Sequence, residues 1–344
     1  MVDEQGRPVT LRMIAAETGV HVSTVSRVLN AKDGDVSRWA APETAERIRE
    51  MARNRGYRRN VYASNLRTAR SHLVGVIVPR LQDFVLATIY EGIDEAAIDL
   101  GYSTFVMNSL DVEENRQSRT AMMLERRVGG LIFGDAHLDD PFLDDLQERG
   151  VPFVLVSRRT AGHTSVTCDD YAGGRLVADH LIATGRRKVA VLAGLPFAST
   201  AADRVRGLVD GFHEAGLDVP DKRIVYGPFD AAGGRKAAEE ILASGQRPDS
   251  IFATNDFAAI GALGTLRDSG LAVPEDVAVV GFNDTPLAAE MTIPLTTVRS
   301  PMHDMGRRSF ELLVQRMQGE RPESEKLKPE LIVRASSRPS THME

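Results

Sequence analysis

Apolar residues near the start of the chain recur at helical spacing. Leu11, Ile14 and Ala15 give a first helix one apolar face, and Thr10 stands where an N-cap is needed. Gly19 then suits a turn that requires a positive φ. The pattern predicts a short helix followed by a tight turn.

A second helix is predicted over Val22 to Asn30, with Val25, Val28 and Leu29 on its inner face. Polar residues of the kinds that contact DNA phosphates and base edges lie on the outer face, namely Ser23, Ser26, Arg27 and Asn30. Two helices joined in this way predict a helix-turn-helix with a recognition helix. An ordinary helical hairpin in a core is the alternative.

A third helix is predicted between Pro42, which suits the first helical position, and Gly56. Ile48 and Ala52 can cover the first two helices. Tyr57 is expected to pack beneath the bundle with its hydroxyl able to reach a phosphate.

From Leu73 onward, short apolar runs alternate with amphipathic segments, including predicted helices over 88–100, 113–127 and 302–317. Roughly ten apolar strands alternating with helices indicate parallel sheets covered on both faces. The predicted fold class is an all-α head joined to an α/β body of two doubly wound subdomains. Ligands of such sheets bind outside the carboxyl ends of the strands.

Charge is divided unevenly, although the net charge is -6. Residues 1–72 hold 13 Lys and Arg against 8 Asp and Glu, whereas the remainder holds 29 against 40. A basic head on an acidic body is typical of a DNA-binding module attached to a second module. An arginine-rich solvated helix face is the alternative.

Several protein classes are disfavoured. The chain has no apolar run long enough to span a membrane and no basic-then-apolar leader, and Cys168 is its single cysteine. We therefore expect a cytoplasmic, nucleoid-associated protein. No catalytic or metal motif is recognisable, so no enzyme activity, cofactor, metal or catalytic residue is predicted. A periplasmic solute-binding protein would require a leader and no basic head.

The run GVHVSTVSRVLN resembles the N-terminal signature of the LacI/GalR (lac-repressor-like) family of bacterial transcriptional regulators. The resemblance implies a homodimer that binds pseudo-palindromic operator DNA and is controlled by a sugar-like effector. It implies that Arg27 addresses a guanine and that Leu66 wedges between base pairs. The DNA-binding candidates are Thr10, Val22, Ser23, Thr24, Ser26, Arg27, Asn30, Tyr57, Asn60, Ala63 and Leu66.

The head departs from the family pattern in places. His21 stands where the family has a serine N-cap, which predicts a weaker cap, and Arg59 replaces the hinge proline. The segment 31–41, which contains the single tryptophan Trp39, is longer than in the family. The sequence predicts no role for this insertion.

The resemblance also implies the domain boundaries. Residues 1–58 form the head and 59–71 the hinge. Residues 72–168 with 299–329 form one body subdomain, and 169–298 with 330–344 form the other. The chain is expected to cross between the subdomains near Asp169, Pro294 and Glu330.

Effector contacts are expected from residues that follow the strands. The resemblance implies Asp83, Phe84, Asp169, Arg204, Phe229, Asn255 and Asn283. Asn255 could instead be a helix N-cap, Phe229 could be core, and Asp256 is interpreted as a cap. Because Asn283 replaces a family aspartate, we expect an effector with an acidic group or fewer paired hydroxyls than a neutral hexose.

A dimer surface is predicted on the helix Met302 to Met317 and on an apolar face formed by Leu86, Ile89, Tyr90 and Ile93. The polar tail after Ser336 carries no leucine heptads, which disfavours a tetramer formed through a coiled coil. The predicted function is repression, and the alternatives are an effector-dependent activator or a co-repressor-dependent regulator. The effector and the operator sequence stay open.

Overall fold

The computed structural model describes residues 9–31, 38–57, 71–245 and 247–338. The chain divides into two compact units, Met1–Arg70 and Ser71–Glu344. The first unit contains the predicted head and the second the predicted body.

The described residues of the head form three helices, α1 (Leu11–Thr18), α2 (Val22–Asn30) and α3 (Pro42–Asn54). Thr10 caps α1 by accepting a hydrogen bond from the Met13 amide, and Gly19 adopts a φ of 68° at its end. Ile14, Val25, Val28 and Ile48 are buried in one small core. The predicted helix-turn-helix and the bounds of α2 are therefore confirmed.

The turn before α2 is capped despite the unusual residue at its start. His21 is the N-cap, and its Nδ1 accepts a hydrogen bond from the Ser23 amide at 3.3 Å. The same nitrogen lies 2.8 Å from the Ser23 hydroxyl. Arg47 donates to the Thr18 carbonyl at 2.9 Å and so fixes α3 to the end of α1.

The first sheet of the body has six strands in the order β11-β5-β4-β3-β1-β2, all parallel. Its strands are β1 (Leu73–Val78), β2 (Ser103–Asn108), β3 (Gly130–Phe133), β4 (Phe153–Val156), β5 (Ser165–Cys168) and β11 (Glu325–Leu327). Four helices cover it, α4 (Phe84–Asp99), α5 (Glu113–Glu125), α6 (Pro141–Glu148) and α12 (Met302–Met317).

The second sheet also has six strands, in the order β12-β10-β9-β8-β6-β7, and only β12 runs antiparallel to its neighbour. Its strands are β6 (Val189–Gly194), β7 (Ile224–Tyr226), β8 (Ser250–Ala253), β9 (Ala278–Asn283), β10 (Thr296–Arg299) and β12 (Glu330–Ile332). The associated helices are α7 (Asp170–Ala183), α8 (Ser199–Glu214), α9 (Ala231–Ala243), α10 (Asp256–Asp268) and the short α11 (Pro286–Glu290). No helix in the described part of the chain is both long and apolar enough to cross a membrane.

The chain passes between the sheets three times. The first passage follows β5 and the third precedes β12, near the expected Asp169 and Glu330. The second was expected near Pro294, which is wrong, because β10 pairs with β9 as far as Arg299. The strands β11 and β12 were not predicted, since each has only three residues and carries charge on an edge.

The predicted dimer surface is incorrect, because its apolar side chains belong to the core of one chain. Leu86, Ile89 and Ile93 on α4 are buried in the core that also contains the apolar face of α12. The two helices pack closely, since a Cβ on Gly92 would lie 2.1 Å from the His303 carbonyl oxygen and one on Gly306 2.0 Å from that of Ile89. This apolar area is already buried before any partner binds.

Candidate functional site

The outer face of α2 is the candidate DNA-contacting surface of the head. Ser23 and Arg27 are exposed, and Val22, Thr24 and Ser26 are half-buried, as is Tyr57 against the head core. The Arg27 guanidinium lies over the Trp39 ring, 4.4 Å from Cζ to the ring centroid. Asn60, Ala63 and Leu66 lie outside the described residues, and so does the side chain of Asn30.

A polar pocket lies in the body where the carboxyl ends of the two sheets face each other, as the strand rule predicts. The space between its walls is about 410 Å³, which includes the part that is open to solvent. Asp83, Gly134, Ser157 and Arg158 follow strands of the first sheet. The residues contributed from the side of the second sheet are Thr200, Arg204, Phe229, Asn255 and Asn283, and Val85 and Leu86 of α4 complete the wall.

Arg204 is held rigidly in this pocket. Its Nε donates to Asp170 at 2.8 Å and one terminal nitrogen donates to the Thr254 carbonyl at 2.6 Å. Its Cζ lies 3.7 Å from the centroid of the Phe282 ring. Burial raises the pKa of Asp170 to about 6, and the adjacent guanidinium opposes that rise.

A second arginine, Arg158, lines the opposite side of the pocket. It is paired in a fork with Asp111, at 2.6 and 3.2 Å. Burial raises the pKa of the nearby Asp83 carboxyl, while a hydrogen bond from the Val85 amide and the charges of Arg158 and Arg204 lower it. Both arginines of the pocket are thus balanced by carboxylates of the chain itself.

The two candidate amides of the pocket differ in how they are used. Asn255 is the N-cap of α10, accepting from the Ala258 amide at 2.7 Å, and it donates to the Phe229 carbonyl at 2.8 Å. Asn283 lies at the end of β9 and has a φ of 107°. Its Oδ1 is buried and accepts no hydrogen bond from any described residue. A buried acceptor facing a pocket can receive a donor from a ligand.

Asp256 is not the helix cap that the sequence suggested, since Asn255 has that role. Asp256 is buried and accepts hydrogen bonds from the Thr285 amide and hydroxyl and from the Thr297 hydroxyl, at 2.7, 3.0 and 2.6 Å. It therefore ties α10 to the segment after β9 and to β10. Burial raises its pKa to about 6.

The structure brings together five of the seven predicted effector residues, Asp83, Arg204, Phe229, Asn255 and Asn283. Phe84 is 37% exposed and Asp169 caps α7 by accepting from the Ala172 amide, and neither lines the pocket. The sequence reasoning missed Ser157, Arg158 and Thr200. The first two directly follow the apolar run Phe153–Val156, which forms β4, so the rule that ligands bind after the strands could have found them.

Contacts also cross the cleft beside the pocket. The Arg159 amide donates to the Ser199 hydroxyl at 2.9 Å, and its guanidinium pairs with Asp203 on α8 at 2.6 Å. The Leu138 amide donates to the Phe197 carbonyl at 2.9 Å, again from the side of the first sheet to that of the second. Arg206 is largely exposed and pairs with Asp203 from within α8. Across the described ranges no group of three or more His, Cys, Asp or Glu has the arrangement of a metal site.

Comparison with known proteins matches both units. Residues 10–60 match the family described as bacterial regulatory proteins, lacI family, and residues 178–337 match the periplasmic binding protein-like domain. Similar sequences include the HTH-type transcriptional repressor PurR of Salmonella paratyphi B, which is 29% identical over 333 residues, covering 95% of this chain and 96% of that protein.

Solved structures agree along nearly the full length. A transcriptional regulator CelR–cellobiose complex is 31% identical with a TM-score of 0.72, covering 96% of this chain and 100% of the other. The lac repressor dimer bound to operator and the anti-inducer ONPF is 27% identical with a TM-score of 0.87, covering 96% and 99%. The CelR regulator is 31% identical over nearly the full length of both chains, and the head matches the lacI family model. The protein therefore belongs to the lacI family of bacterial regulatory proteins.

Proposed function

We propose that this protein is a transcriptional repressor that reads operator DNA through α2 of two heads in a homodimer. The observation that carries the proposal is the division of α2 into a buried apolar face, with Val25 and Val28, and an outer polar face with Ser23 and Arg27 exposed. Exposed side chains of these types contact phosphates and base edges. One small head offers few contacts, and a dimer doubles them.

The domain boundaries proposed for this function follow the sequence analysis. Residues 1–58 act as the head, 59–71 as the hinge, and the two sheets with their helices as the two halves of the body. The proposed hinge contacts are Asn60, Ala63 and Leu66. The protein acts as a regulator without catalysis, in the cytoplasm on the nucleoid.

The effector that we propose is a neutral, polyhydroxylated molecule bound in the pocket of the body. Arg158 and Arg204 already have carboxylate partners there, so an acidic group would have to compete with Asp111 and Asp170. Hydroxyls can use the remaining guanidinium donors, and the unpartnered Oδ1 of Asn283 can accept from a ligand hydroxyl. This choice departs from the sequence-based expectation of an effector with an acidic group or with fewer paired hydroxyls than a neutral hexose.

The DNA-binding part is tested by a mobility-shift assay of the full chain with DNA upstream of its own coding region. We expect a shift that a matched random duplex does not give. Arg27→Ala should weaken the binding free energy by roughly 1–3 kcal/mol and relax the preference at one base pair. Loss of the gene should raise transcription from the shifted promoter. A fall in transcription would identify an activator instead.

The effector class is tested by a thermal-shift screen of neutral saccharides and sugar acids, followed by titration of Asn283→Asp with the best ligand. This substitution keeps the side-chain shape and adds a negative charge. A neutral polyol should bind the variant as well as the wild type or better. A loss of roughly tenfold or more would indicate an acidic effector, because like charges would then meet in the pocket.

A further inference from the structure

Trp39 is the only tryptophan of the chain, and it lies in the segment 31–41 that joins α2 to α3. It is 41% exposed, although a large aromatic side chain gains free energy from burial. Trp39 instead has its ring under the guanidinium of Arg27, with the Cζ atom 4.4 Å from the ring centroid. The end of the insertion therefore contacts the outer face of α2.

This contact leaves the chemistry of Arg27 available for bases. A guanidinium is planar, and its N–H donors point outward in that plane. The ring attracts the charge of the group and offers it no lone-pair acceptor, so N–H donors that point away from the ring stay free. Two of them can still form the paired contact with O6 and N7 of a guanine in the major groove.

The contact also lowers the entropic cost of recognition. A long exposed arginine samples many rotamers, and binding must restrict it to one of them. The neighbouring residue Ser23 is held in a comparable way, because its amide and hydroxyl both contact His21. The outer face of α2 thus has two side chains whose positions are set before DNA arrives.

We infer that Trp39 is a positioning residue that holds Arg27 for base recognition. The inference rests on the proposed DNA-reading function of Arg27. It gives the insertion between α2 and α3 a role in sequence selectivity. The role predicts an effect confined to the base pair that Arg27 reads, whereas a residue that only binds phosphate would affect every sequence equally.

The test begins with duplexes selected from a random library by the full-length wild-type protein. Affinity is then measured for every single-base variant of the selected duplex with Trp39→Leu, Trp39→Phe and Arg27→Ala. We expect Trp39→Leu to weaken binding about two- to fivefold per half-site, the range of exposed cation–π contacts. Its discrimination should fall at the same base pair that Arg27→Ala relaxes, and Trp39→Phe, which keeps an aromatic face, should retain part of it.

The outcomes separate the two proposals. An equal loss for all sequences, or no loss with Trp39→Leu while Arg27→Ala relaxes one base pair, would overturn the role of Trp39 alone. Failure of the wild type to select any sequence, or no base-specific effect of Arg27→Ala, would overturn the proposed function and the role of Trp39 with it.

Fluorescence gives a readout that needs no DNA. Trp39 is the single indole, so its emission reports only its own surroundings. Removing the cation in Arg27→Ala should shift the emission of the free protein, whereas Arg53→Ala, which removes an exposed arginine paired with Glu46, should not. Equal emission in the wild type and Arg27→Ala would contradict the contact itself.

Discussion

The guanidinium of Arg204 is held by contacts from separate parts of the body. It joins the Asp170 carboxylate, the Thr254 carbonyl and the ring of Phe282, so α8 is tied to α7 and to the ends of β8 and β9. Each of these contacts uses a different part of one planar group. Arg204 therefore fixes the wall of the pocket through contacts within the chain, and these contacts need no ligand.

Removing this guanidinium should cost more than the loss of one contact. We predict that Arg204→Ala destabilises the body by about 3–5 kcal/mol at pH 7.5, since it leaves the buried Asp170 charge unpaired. Far-UV circular dichroism during urea unfolding measures this. Tryptophan emission would not, because Trp39 lies in the head.

The pH dependence identifies the cause. The pKa of Asp170 is raised to about 6 in the folded state, so protonation favours folding, and this contribution is lost as the pH rises through that value. Without Arg204 the pKa should rise further. The free energy of unfolding lost in Arg204→Ala should therefore be smaller at pH 5.5 than at pH 7.5. The double variant Arg204→Ala/Asp170→Asn should not show this difference between the two pH values. Equal losses at both pH values would contradict the account.

At the residue scale, the sequence does not predict which of two adjacent residues with similar side chains takes a given role. Asn255 and Asp256 can both cap a helix, and Asp169 and Asp170 can both pair with an arginine. Backbone direction decides which of each pair does so, and helical periodicity carries no information on it. Arg204 was predictable because the family resemblance implies it, whereas nothing in the sequence identified its partner Asp170.

At the scale of elements, the pairing of α7 with α8 depends on two glycines. A Cβ on Gly207 would lie 2.1 Å from the Tyr171 carbonyl oxygen, and one on Gly174 2.2 Å from that of Arg204. Gly207 thus permits close helix packing and does not line the pocket. The sequence shows a glycine three residues after Arg204, but it does not show that the glycine serves helix packing.

A methyl group at this crossing should force the helices apart. We predict that Gly207→Ala destabilises the body by roughly 1–3 kcal/mol, because backbone cannot yield as a side chain can. Gly227→Ala is the matched control, since a Cβ there meets nothing within 4 Å. Thermal unfolding of both variants by circular dichroism decides between them. A Gly207→Ala variant as stable as the control would show that the helices can separate without cost.

The strands show the same division between pattern and context. Apolar runs such as LVGVIV and VAVLAG predict their own strands, because both faces are buried. The short strands β11 and β12 carry Glu325 and Glu330 and depend on neighbours that are far away in sequence. The apolar face of α4 was predictable, but its partner was misidentified, since amphipathicity does not say which surface will cover it.

At the scale of the molecule, an effector can regulate only by shifting an equilibrium between states. Two halves that face each other across a cleft can supply these states as an open and a closed cleft. The pair between Arg159 and Asp203 joins these halves over a separation of 44 residues in sequence. Nothing in the sequence pattern indicates it. It is the kind of contact that sets the balance between an open and a closed cleft.

Removing this pair should favour the open cleft without unfolding either half. The contact is partly exposed, with side-chain exposures of 32% and 9%, so we assign it about 1 kcal/mol. Arg159→Ala should then speed exchange of the Leu138 amide hydrogen, which bonds across the cleft to Phe197, by roughly fivefold. Hydrogen exchange resolved at single residues measures this in the free protein.

Arg206→Ala is the control for this prediction. Arg206 pairs with the same Asp203 at 2.8 Å but belongs to the same helix, so its removal breaks no contact across the cleft. Exchange at Leu138 should stay at the wild-type rate in this variant. Faster exchange of the Leu138 amide in both variants would assign the effect to Asp203 and not to its pair with Arg159. Faster exchange of amides in the strands of both sheets would indicate that the whole body is destabilised. Only a rise specific to Arg159→Ala indicates that this ion pair holds the cleft closed.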